Sequence, residues 1–171
     1  MPKPTPGSYP VHFDNYINQV PEDNVLEALA NQQSLVDDFF PIITEEKAGY
    51  AYAQGKWTLK ELLQHVIDGE RIFNYRALSI ARGEQQSLPG FEEKDYASSS
   101  NANRRSWIDL VEELQAVRKT TILLFKSFTS NMCEQVGLAN EKPVSVNALG
   151  FITVGHLYHH AKIIKERYLA N

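Results

Sequence analysis

Four stretches of this chain repeat their apolar residues at helical spacing, and no stretch alternates convincingly as a half-buried strand would. Val25, Leu26, Leu29, Val36, Phe39 and Phe40 form the first stripe, which follows Pro21 and is expected to end at Pro41. Thr58 and Glu61 make a capping box, so a second helix is predicted from Leu59 to about Arg82, with Gly83 ending it. Trp107, Leu110, Val111, Leu114, Val117, Thr121, Leu124, Phe125 and Phe128 mark a third between about Asn103 and Phe128. A fourth, which Ser145 can cap, holds the stretch VGHLYHHAKIIKER. The fold class that follows is all-α, a four-helix bundle. Its connections are long, and residues 84–103 are expected to cross as a loop that shapes a site entrance.

With 171 residues, 43% of them apolar, the chain is long enough for one domain, residues 1–171, with a substantial core. Residues 1–20 hold four of the eight prolines, alternating with Tyr9, Phe13, Tyr16 and Ile17. That mixture predicts an extended N-terminal arm laid against the body. The single cysteine, Cys133, makes no internal disulfide and is expected to be a small apolar filler. A net charge of −4 argues against a nucleic-acid surface, and the pair Arg104 and Arg105 is expected in solvent at a helix start. No leader pattern opens the chain, and nothing approaches the roughly 18 uninterrupted apolar residues of a membrane span. The expectation is a soluble, cytoplasmic protein.

The chemistry concentrates in the last helix. At about 100° per residue, His156 and His160 project within about 40° of each other. Leu149, Ile152, Thr153, Leu157, Ile163 and Ile164 share that half, so both imidazoles point inward and His159 sits at the rim. Two inward histidines four apart are half of a metal site, since each would otherwise need its own buried partner. On the second helix His65 stands at the edge of the core arc formed by Leu62, Val66, Phe73, Ala77 and Ile80. Gly69, one turn on, leaves it room to reach another helix. Glu70 projects into the apolar arc and must be paired or protonated, with Arg167 as the expected partner. An ion pair is the expected role of Glu70, with proton transfer the alternative. Asp68 projects farther from the core, toward solvent. Phe151, Tyr158 and Leu169 share the face opposite the histidines, expected to be a second packing surface or a homodimer contact.

The segments GKWTLKELLQHVIDGERIFNYRAL and GHLYHHAKIIKERY, with the arm YINQVPEDNVLEAL, make the chain similar to the DinB/YfiT-like superfamily of metal-dependent enzymes. The resemblance covers nearly the whole chain and implies a four-helix bundle. It also implies a divalent metal ion held by one histidine of the second helix and two, four apart, of the last, which map onto His65, His156 and His160. His159 becomes a neighbour of the site.

Three neutral imidazoles leave an ion with its full charge and an open position. Zinc is the expected metal, with nickel possible. Water in the open position points to a metal-dependent hydrolase, with Glu70 or Asp68 as proton carrier. A low-molecular-weight thiol points to a thiol-dependent S-transferase, and the resemblance favours this route. A third reading is a non-catalytic helical binding or stress-response protein. No H-E-x-x-H and no histidine three residues after a glutamate occurs, which removes the zincin and di-iron carboxylate readings.

Overall fold

The computed structural model describes residues 2–170, so that Met1, the first residue of the expected arm, and Asn171 lie outside them. A 3-10 turn at Val11–Phe13, α1 (Asp14–Ile17) and α2 (Val25–Asn31) lead into a π-helical turn at Leu35–Phe39. The short α3 (Glu45–Ala48) precedes the long α4 (Leu59–Ala81). Then come α5 (Glu93–Ser99), a 3-10 turn at Ala102–Arg104 and α6 (Trp107–Lys126). The chain finishes with α7 (Ser130–Glu134), β1 (Val136–Ala139), β2 (Lys142–Ser145), α8 (Val146–Ile163) and a π-helical turn at Ile164–Tyr168. The first helical stripe, α4, α6 and α8 make the all-α four-helix bundle, with α4 packed on both α6 and α8.

The capping signals act as physical chemistry requires. Thr58 accepts from the Glu61 amide and Glu61 bonds back to the Thr58 amide, while Ser145 accepts from Ala148. Gly83 lies at φ +88°, in the left-handed region, just past the C-cap of α4, and ends that helix. Other expected boundaries move. The first helix starts after Asn24, whose side chain accepts from the Leu26 and Glu27 amides. It breaks at Gln32, and the third helix starts at Trp107, capped by Ser106.

Two connections hold structure that the sequence pattern did not disclose. The crossing loop contains α5, and Leu88 bonds Leu138 and Asn140 by backbone, at 2.9 and 2.8 Å. The last connection is an antiparallel hairpin, with Val136 opposite Ser145 and Ala139 opposite Lys142. Asn140 and Glu141 turn it at φ +50° and +61°, a tight turn with glutamate where glycine is usual. The arm lies against the body, without helix over residues 2–10 and helical instead of extended from Val11 to Ile17. Tyr16 lies so close to α8 that a Cβ on Gly155 would stand 2.1 Å from its carbonyl oxygen.

The core is divided in two. One cluster contains Leu29, Phe73, Phe125 and Val154, and the other Val36, Ile67, Val117 and Leu157. Along every long element the change from one cluster to the other falls at buried polar residues: Gln32, Glu70, Arg118 with Thr121, and His156. A polar layer therefore crosses the middle of the bundle. Phe151 is fully buried and Tyr158 packs against the first cluster, so the face expected for a homodimer contact lies largely inside the chain. No described helix is long and apolar enough to cross a membrane.

Candidate metal centre

α4 and α8 bring three imidazoles of the polar layer to one point. The ligand-capable atoms of His65, His156 and His160 all lie within 4.8 Å of one another, and all three residues are buried. His156 Nε2 is 3.0 Å from His65 Nε2 and 3.0 Å from His160 Nε2. Gly69 permits this approach, because a Cβ there would meet His156 Cε1 at 3.1 Å. Trp57 stacks obliquely on His65, and Tyr16 and Phe73 meet the His156 ring edge-on. His159 lies beside His160 and Tyr16 at the half-buried rim.

Burial lowers the pKa of His65 to about 4. Burial first and the neighbouring imidazoles second hold His156 and His160 well below the ordinary histidine range. All three rings are therefore neutral at pH 7, the form in which imidazole binds a metal. Neutral rings alone cannot satisfy this geometry. Each carries one N–H and one lone pair, so a single Nε2 at hydrogen-bond distance from two others leaves at least one lone pair facing another or one donor idle. A cation accepts all three lone pairs at once. A tetrahedral site with metal–nitrogen bonds of about 2.0–2.1 Å sets its ligand atoms about 3.3 Å apart, close to the 3.0 Å that separates His156 Nε2 from each of the other two. The residues present thus fit a divalent ion. His160 Nδ1 is buried without a hydrogen-bond partner among the described residues.

Glu70 belongs to a different part of the layer. It does not pair with Arg167: its carboxylate accepts from Arg118 Nε at 3.0 Å and Nη2 at 2.9 Å, and from Thr121 at 2.5 Å. Arg118 is fully buried and also donates to Gln32, whose amide reaches the Val154 carbonyl at 2.8 Å. Asp68 accepts from Gln64 at 2.9 Å and stays outside the imidazole cluster. Arg105, expected in solvent, is half-buried against Gln64 and Glu113. Sequence reasoning did not pick out Trp57, Tyr16 or Arg118 as parts of this layer. Tyr16 left a trace among the aromatics of the proline-rich arm, and Trp57 in the segment GKWTLKELLQHVIDGERIFNYRAL that carries the family resemblance.

A helical bundle with three convergent histidines shared between two of its long helices defines a class of candidate metal-site proteins. The chain belongs to the DinB superfamily, whose family model matches residues 26–164. Solved structures that share its fold include two described proteins. YfiT from Bacillus subtilis, described as a probable metal-dependent hydrolase with an unusual four-helix bundle topology, is 17% identical with a TM-score of 0.71, covering 96% of this chain and 90% of its own. A mycothiol-dependent maleylpyruvate isomerase is 11% identical with a TM-score of 0.69, over 85% of this chain and 61% of its own. No curated protein matches the chain.

Proposed function

We propose that this protein is a divalent-metal-dependent enzyme in which His65, His156 and His160 hold the ion, zinc by preference. The observation that supports this reading is the convergence of three buried, neutral Nε2 atoms that cannot satisfy one another. An ion held by three neutral imidazoles keeps its full charge and an open position, at which it acidifies a thiol or a water. Trp57, Tyr16 and Phe73 shield the cluster and fix the ring orientations.

Between the two chemistries, transfer of a small thiol to an electrophile is the reading we adopt. Among the described residues no carboxylate joins the imidazole cluster: Glu70 is held by Arg118 and Thr121, and Asp68 by Gln64. Hydrolysis of an amide needs a group that returns a proton to the leaving amine, whereas a thiolate attacks without one. The fold shared with a mycothiol-dependent isomerase is consistent with this choice, and the fold shared with a described hydrolase keeps hydrolysis as the second reading. The test begins with metal content by mass spectrometry on untagged protein purified without chelator. Near-stoichiometric zinc or nickel is expected. Zinc-loaded protein is then offered cysteine with an alkyl halide, and separately an amide and an ester alone. Thiol-dependent halide release supports the transferase; amide or ester cleavage without thiol replaces it with the hydrolase. A protein that takes up neither metal is a helical binding module.

A further inference from the structure

His156 also forms part of the wall of a cavity of about 200 Å³, room for roughly six waters at about 30 Å³ each. Phe13, Tyr16, Phe73 and Phe91 make much of its lining, and His12 and Lys142 are exposed on it. Arg76 lines the same cavity and is only 7% exposed. Its one hydrogen bond among the described residues goes to the Pro89 carbonyl at 2.8 Å, and its guanidinium lies 5.9 Å from the Phe91 ring centre. Among the described residues it has no carboxylate partner, although Glu93 also lines the cavity.

Burial lowers the pKa of Arg76, but a guanidinium stays charged at neutral pH and offers five donors in a planar fork. Holding Pro89 occupies one. A buried arginine is ordinarily stabilised by a carboxylate, as Arg118 is by Glu70. Arg76 therefore stands in the cavity as a charge that, among the described residues, no carboxylate meets within ion-pair distance, Glu93 sharing the lining without bonding it.

We propose that the cavity takes a small organic acid, with Arg76 accepting its carboxylate in a paired hydrogen-bond contact and the rest of the molecule lying over Phe73 toward His156. The assignment deepens the enzyme reading above, which supplies the reacting centre beside His156. A flat monoanion suits one buried guanidinium among aromatic walls. A phosphate, with its second charge, would need another buried cation.

The test titrates the full chain with benzoate and with benzamide, its uncharged isostere, followed by protein NMR in zinc-loaded and in chelator-treated samples. Benzoate is expected to bind at least about 10-fold more tightly than benzamide in both samples. Arg76→Gln is expected to abolish the preference and Arg76→Lys to keep part of it. Should Arg76→Gln fail to fold by circular dichroism, the wild-type ratio and Arg76→Lys decide. Equal binding, no binding of either ligand, a preference untouched by Arg76→Gln, or displacement of benzoate by lower concentrations of inorganic phosphate overturns the proposal. A preference confined to the zinc-loaded sample also overturns it, because the metal and not Arg76 then takes the acid. The chelator-treated arm does not depend on the enzyme reading, and metal content does not depend on this one, so either can fail alone.

Discussion

His65 and Glu70 stand little more than one turn apart on α4, and both are polar side chains taken almost fully out of water. Their surroundings are opposite in kind. Glu70 is closed: two arginine nitrogens and a threonine hydroxyl donate to its two oxygens, and the chain of bonds continues through Gln32 to the backbone of α8. The imidazoles are open. Three ring nitrogens meet where neutral imidazoles, with one N–H and one lone pair each, cannot satisfy all of the contacts. One half of the polar layer thus fixes how four elements pack, and the other half is complete only with something added. A buried polar group that the fold has already satisfied points to architecture, and one that it has brought together unsatisfied points to a ligand.

The largest effect should come from breaking the closed half. Arg118→Ala leaves the Glu70 carboxylate buried without its counter-charge, and a loss of about 3–5 kcal/mol in urea unfolding is expected. Replacing both partners, Arg118→Met with Glu70→Leu, should recover most of that loss, since the penalty lies in the orphaned charge. If the single and double variants are equally destabilised, packing and not charge holds this half together.

Acid separates the halves next. His65 has a folded-state pKa of about 4, below the 6.5 of an unfolded histidine. Between those values the unfolded chain binds the extra proton, so stability is fully present above pH 6.5 and falls as the pH drops toward 4. His65 alone accounts for about 3 kcal/mol of that fall, and His156 and His160 act in the same direction. Metal-free protein unfolded in urea across this range should show the slope, and His65→Gln should flatten it. An unchanged slope would mean that the imidazole cluster opens to water in solution.

Much of the open half was legible in the sequence, and the reason is local. His156 and His160 share a helix face by arithmetic alone, and the capping box at Thr58 placed α4 to within a residue of its observed start. The partner of Glu70 was not legible. Arg118 is buried on α6 with Leu114, Val117 and Thr121, and periodicity marks that face as buried without saying which helix it meets. Arg167 was within reach by sequence logic because it lies near the histidines, but contacts across 48 residues are set by bundle topology. The hairpin was hidden for a different cause. Its strands are four residues long, Pro143 stands in the second, and the turn uses Glu141 where a glycine would have announced it.

A third way to sharpen the comparison removes a member of the open half. His156→Ala takes away one of three convergent rings and leaves a small void, so metal-free stability should change by about 1 kcal/mol. Metal content should fall from near-stoichiometric to background. Closed and open halves then differ in kind: Arg118→Ala acts on folding, and His156→Ala acts on metal uptake. A His156→Ala protein as unstable as Arg118→Ala would put the histidines in the architecture.

The smallest expected change in stability, and the most selective, is Gly69→Ala. The added Cβ would stand 3.1 Å from His156 Cε1, so the ring must move by a few tenths of an ångström. Alanine is also the better helix former by about 0.8–1.0 kcal/mol, which offsets the crowding. Metal-free stability should therefore stay within about 0.5 kcal/mol of wild type, while zinc affinity measured by competition with a chromophoric chelator drops about 10-fold, the size of change that displaced ligand orientation produces. Gly155→Ala is the control for crowding as such. Its Cβ would meet the Tyr16 backbone at 2.1 Å, which cannot be relieved by a ring movement, so it should unseat the arm and destabilise the fold by about 1–3 kcal/mol. If Gly69→Ala binds zinc as tightly as wild type, the His156 ring is free to shift, and the open half is held less rigidly than its burial implies.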